Sequence, residues 1–92
     1  MEKILTFDST GAALNGEERL KAAGIPVRVM ARPNALGAQC GFCLRLDPED
    51  LARALGVLRA ANLTVRGVYD MAPALGGGWS YAETPLDQWA TD

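Results

Sequence analysis

The 92-residue chain predicts an α+β sandwich, a four-stranded antiparallel sheet with two helices on one face and a C-terminal tail. Three observations predict it. Four β-rich runs and two runs of helical period follow one another as β-α-β-β-α-β. Nearly every boundary between them carries its own cap or turn residue. Both helical runs are long enough to cover a sheet of that size.

"KILTFDS" at 3–9 is a short β-rich run ended by turn and cap formers. Ser9 or Thr10 can cap a helix from about Gly11 to Ala23. Ala13, Gly16, Leu20 and Ala23 recur on one face, so a helix built of such small residues should lie close to whatever it covers. Gly24 is placed to stop it. "PVRVMAR" at 26–32 alternates Val27, Val29 and Ala31 against Arg28, Met30 and Arg32, the pattern of a two-faced strand. "FCLRL" alternates Phe42, Leu44 and Leu46 against Cys43 and Arg45. "DPED" at 47–50 then starts a helix, with Asp47 as cap candidate and Pro48 at the first helical position. Glu49 and Asp50 favour the positive end of its dipole. Leu51, Ala54, Leu55 and Leu58 form its buried stripe, Asn62 a stop, and "TVRGVYDM" at 64–71 the last strand. An order of this kind suggests the ferredoxin-like arrangement.

Composition narrows the function classes. The chain is 49% apolar and 22% charged, with two cysteines, too few for a disulfide scaffold. "MEKILTF" lacks the pattern of a secretory signal, and no run approaches the 18 or so apolar residues of a membrane span. The expectation is a cytoplasmic protein with reduced thiols. Residues 1–71 carry a net charge of +1 and residues 72–92 one of −3, which sets a domain at 1–71 apart from an acidic tail at 72–92. Nothing is basic enough to demand nucleic acid. The tail holds a triple glycine, two prolines and both tryptophans. It reads either as a loose extension or as a segment that docks Trp79 and Trp89 on this domain or a partner. "GGG" at 76–78 has no Lys-Ser or Lys-Thr after it and is no phosphate loop.

With the helices on one side, Arg28, Met30, Arg32, Cys43 and Arg45 fall on the bare face of the sheet, joined by Arg66 in one register. Arginines gathered there can fork onto an oxyanion, or form a solvated or dimer surface. An RNA-reading sheet of this order stacks bases on exposed aromatics. Here Ile4, Thr6, Cys43 and Arg45 take those places, which argues against RNA.

The connection from Pro33 to about Gly41 is long for a hairpin and contains no charged residue. Cys40 in it, beside Gly41, is the better candidate for a reactive thiol; Cys43 is held by the strand. Four readings stay open. The thiols can be incidental. A dithiol–disulfide pair is one reading of Cys-x-x-Cys, although a strand follows where such motifs usually open a helix. A metal site would need ligands from a second copy, since there is no histidine. Last, Cys40 can carry a sulfur or selenium atom as a persulfide-type adduct, its thiolate favoured by Arg32 or Arg45.

The chain resembles the small bacterial selenium/sulfur carrier protein-like family over residues 2 to about 71. The resemblance rests on "ILTFDST", "GEERLKAAGIPVRVMARP", the Cys40-Gly41 pair and "LRLDPEDLARALGVLRAANLTVRGVYDM" in this order and spacing. It implies a role for Cys40 and Gly41 in handling sulfur or selenium. It also implies donor and acceptor proteins as partners and no cofactor, and makes the protein an accessory to an enzyme more than an enzyme itself. Cys43 departs from the family pattern, and a second thiol there would turn a carrier into a dithiol switch or a metal site across a homodimer. The alternative reading is a non-catalytic binding or assembly module acting through the bare sheet face.

Overall fold

A computed structural model describes residues 2–31 and 41–84. The chain runs through β1 (Glu2–Phe7), α1 (Thr10–Ala22), β2 (Arg28–Ala31), β3 (Phe42–Leu46), α2 (Leu51–Ala60), β4 (Val65–Pro73) and β5 (Trp79–Glu83). The five strands form one sheet in the order β2-β3-β1-β4-β5, every neighbour antiparallel. The fold is therefore α+β with two helices, but the sheet has five strands where the sequence predicts four. The fifth comes from the segment read as tail. Its alternation of Trp79, Tyr81 and Glu83 against Ser80 and Ala82 is a strand signal that the triple glycine before it hides. Gly76, Gly77 and Gly78 all take positive φ, and Gly77 N–H donates to Ala74 C=O at 3.2 Å. The glycines thus close a hairpin, a conformation that side chains resist, where a flexible linker was the other reading.

Both helices end by the same device. In α1 the Ile25 N–H reaches Leu20 C=O at 2.9 Å and the Gly24 N–H reaches Lys21 C=O at 3.0 Å. In α2 the Leu63 N–H reaches Leu58 C=O at 2.9 Å and the Asn62 N–H reaches Arg59 C=O at 3.0 Å. These are paired Schellman closures with Gly24 at φ +79° and Asn62 at φ +60° in the left-handed position. The starts differ. Ser9 caps α1, its hydroxyl accepting from Ala12 N–H at 3.1 Å. Asp47 makes no side-chain capping bond; Pro48–Asp50 form a 3₁₀ turn that leads into α2 at Leu51. Arg53 on α2 donates to Ala23 C=O at 3.1 Å and ties one helix to the end of the other.

The main core lies between helices and sheet. Leu5, Phe7, Leu44, Leu46 and Val68 meet Ala13, Leu20, Ala54, Leu55 and Leu58. Full burial of one such leucine or phenylalanine contributes about 1.5–3 kcal/mol. Ala23 is exposed at the end of α1 and takes no part. Gly16 sets how close α1 comes. A Cβ on Gly16 would stand 3.3 Å from side-chain carbons of Leu44, Leu58 and Phe7. Lys3 and Asp70 pair across β1 and β4 at the margin of this layer. No helix among the described residues is long and apolar enough to cross a membrane.

Gly16→Val forces two further carbons into that contact and should destabilise the fold by about 1–3 kcal/mol. The expected reading is a lower urea midpoint with an unchanged m value. Gly16→Ala should fall between wild type and valine, since a helix propensity gain of about 1 kcal/mol offsets the crowding.

Candidate functional site

The face away from the helices is not bare. Paired residues in an antiparallel ladder share a face, and the register places Arg28 opposite Arg45 and Met30 opposite Cys43. Ile4 stands between Arg45 and Tyr69, and Thr6 between Cys43 and Gly67. Met71 faces Tyr81, and Pro73 faces Trp79. On this face Ile4, Cys43 and Met71 form a second buried cluster, packed by Met30, Tyr69 and Tyr81. The expectation of a solvated arginine surface is corrected here. The correction comes from β4 and β5, whose tyrosines and methionine the alternation of β2 and β3 alone does not reveal. Phe42, assigned by alternation to the helix side, lies exposed at the entry of β3.

Arg28 and Arg45 come together as a cross-strand pair, and Arg66 does not join them. Arg45 donates from Nε to the Glu2 carboxylate, and its guanidinium carbon stands 5.9 Å from the centroid of the Trp79 ring. A cation over an aromatic face is attracted by the ring's quadrupole. Arg66 turns to Asp8 at 2.8 Å, beyond the opposite end of β1. Arg28 opens on a cleft of about 400 Å³ at the far end of the β2–β3 ladder, lined also by Lys21, Arg45, Glu2 and Asp47. Lys21 is already paired with Glu17 at 2.8 Å. Two carboxylates thus stand among three cations, which weakens this cleft as an anion site.

Of the residues singled out in the thiol region, Arg32 and Cys40 lie outside the described residues, as does Trp89. Gly41 is exposed at the mouth of β3, with open space where a Cβ would stand. Cys43, two residues on, is fully buried in the second cluster. Arg45 is four residues from Gly41, about 13 Å along an extended strand. There it is engaged by Glu2 and Trp79. Among the described residues no three Cys, Asp or Glu side chains gather as ligands for a metal.

Tyr69 is the group on this face whose ionisation the fold alters. Its ring reaches over the backbone of Gly67, where an added Cβ would meet the ring at 3.0 Å. Burial first, and the facing carboxylate of Glu83 second, hold its phenol above the ordinary value of 10.0. The folded protein then binds this proton more tightly than the unfolded chain does. Its contribution to stability is complete below pH 10 and is lost as pH rises through the folded value.

Alkaline denaturation should show this as a fall in stability above pH 10 that is shallower in Tyr69→Phe. Equal slopes in the two proteins would contradict it. Burial of Cys43 makes a second expectation. In a Cys40→Ala background, iodoacetamide should leave the folded protein unmodified and react at once when denaturant is added.

The geometry can now be set beside known proteins. No curated protein and no solved structure matches the chain. A family profile described as "Putative Se/S carrier protein-like" matches residues 2–70, from β1 to the middle of β4. With three quarters of its length inside that match, the chain belongs to the Se/S carrier protein-like family.

Proposed function

We propose that the protein is a thiol-based carrier of sulfur or selenium, with Cys40 as the acceptor. Family membership over residues 2–70 is the observation that carries this reading. The placement of the two flanking positions supports it. Cys43 is buried in the sheet, whereas Gly41 is exposed and leaves space for the backbone or side chain of a partner. Of the two thiols, the reading assigns exchange to Cys40 and packing to Cys43.

The step is a thiol–persulfide exchange. The Cys40 thiolate attacks the outer sulfur of a persulfide on a donor protein. The bond from that sulfur to the donor's own sulfur breaks, and the donor leaves as a thiolate. Cys40 then holds the extra sulfur as a persulfide, and a second exchange passes it to an acceptor. No net oxidant is consumed, because the zero-valent sulfur moves with its oxidation state unchanged. A selenium atom bound to a donor thiol transfers in the same way. Such chemistry needs a thiolate, which nearby positive charge favours. Arg32 is the nearest basic residue before Cys40 in sequence; Arg45, nearer on the other side, is engaged by Glu2 and Trp79. A compartment that keeps thiols reduced, such as the cytoplasm, is required. We read the domain as ferredoxin-like over residues 1–71, with β5 added at the free edge of β4.

Intact mass of anaerobically purified protein, incubated with a protein persulfide donor, tests the proposal. The expected result is a gain of one sulfur atom that reductant removes. Cys43→Ser should keep that gain and Cys40→Ser should lose it. A mass that no donor shifts would sink the carrier reading. An adduct retained in Cys40→Ser would move the chemistry to another residue.

A further inference from the structure

The chain closes its sheet on β5, a strand outside the family match, and the outer edge of β5 pairs with no strand among the described residues. The hydrogen bonds fix which groups that edge offers. Thr84 N–H donates to Val68 C=O at 2.8 Å, and Ala74 N–H donates to Gly78 C=O at 3.1 Å. Both belong to the register that pairs Tyr69 with Glu83 and Pro73 with Trp79. Hydrogen-bonded and non-hydrogen-bonded pairs alternate in an antiparallel ladder. Ser80 and Ala82 therefore turn their backbone groups to β4. Trp79, Tyr81 and Glu83 turn theirs outward. Pro73, which has no N–H, sits in a non-hydrogen-bonded pair, as this assignment requires.

Edges of this kind are normally guarded by charged side chains, above all lysine, by proline or by a bulge. β5 has no lysine or proline, its one charge is Glu83 at its last position, and its ladder with β4 runs without a register shift. The opposite edge, β2, is four residues long and carries Arg28. The side chains that accompany the outward groups of β5 are Trp79, half exposed, Tyr81 and Glu83. Tyr81 packs on the second apolar cluster and carries it to the edge strand of the sheet.

We infer that β5 pairs antiparallel with β5 of a second copy, joining two five-stranded sheets into one of ten strands. A two-fold axis at Tyr81 makes the edge complementary to itself. Tyr81 then meets Tyr81 of the partner subunit, and Trp79 meets Glu83 of the partner subunit, all in hydrogen-bonded pairs. Three outward residues on each copy exchange six backbone hydrogen bonds. Charge does not oppose this register: the charged group beside Trp79 is the Arg45 guanidinium, which reaches across from β3 to 5.9 Å from the ring centroid. The symmetry provides the Trp79–Glu83 pair twice. The inference stands apart from the carrier reading, because it uses no thiol.

Sedimentation equilibrium of reduced protein, carried up to the millimolar range, tests it. The expected mass is twice the 9.8 kDa of one chain. Glu83→Pro deletes an outward donor and the charge while leaving every β4–β5 bond in place. It should raise the dimer dissociation constant on the order of tenfold to a hundredfold, with an unchanged circular dichroism spectrum. Should that variant fail to fold, Glu83→Lys decides, since lysine is the side chain that guards open edges and should also drive the protein to monomer. A wild-type protein that stays monomeric throughout would overturn the inference. So would a dimer that neither variant weakens, because its interface would then lie elsewhere.

Discussion

Everything in this fold depends on β1 being a strand with two neighbours and two covered faces. Ile4, Leu5, Thr6 and Phe7 are buried one after another. Leu5 and Phe7 meet the helices, while Ile4 and Thr6 point into the opposite layer. A strand so enclosed must satisfy its backbone entirely within the sheet, which β3 and β4 do from either side. Its charged end is also held on both faces, Glu2 by Arg45 and Lys3 by Asp70. The two ion pairs sit at opposite faces of the same end of the sheet, where the apolar layers run out.

The second layer changes what the cysteines can be. A thiol on a solvated arginine face would be open to attack and electrostatically activated. Cys43 instead fills space beside Ile4 and Met71, where its value is that of a small apolar side chain. Burial of this kind blocks access to the sulfur. The exchange proposed above is for that reason assigned to Cys40 and not to Cys43.

Much of this was legible in the residues themselves. Both helix ends were, because glycine or asparagine in the left-handed position leaves a local mark. The small-residue face of α1 was legible as well, and Gly16 confirms it through its contact with Leu44, Leu58 and Phe7. The covered second face leaves a fainter mark, the unbroken run "ILTF" of the kind that two-sided burial produces. Alternation in β2 and β3 reports only their own side chains, and the residues that close this face come from β4 and β5. β5 itself was hidden by its turn. Three glycines have the composition of a linker, and only pairing between Ala74 and Gly78 distinguishes a hairpin from a tether.

The added strand has a consequence for how a carrier of this size can work. A small domain of this length has little surface to divide between donor, acceptor and its own copies. In the strand order β2 lies at one edge of the sheet and β5 at the other, with β3, β1 and β4 between them, so pairing at β5 leaves the β2 edge unobstructed. The family match ends within β4, before the strand that provides this second edge. Residues 2–70 hold the elements that the family profile covers, and β5 lies beyond them at the edge of β4. A function that depends on handing an atom from one protein to another is compatible with such an arrangement because the exchange point and the assembly edge make no competing demand on the same backbone.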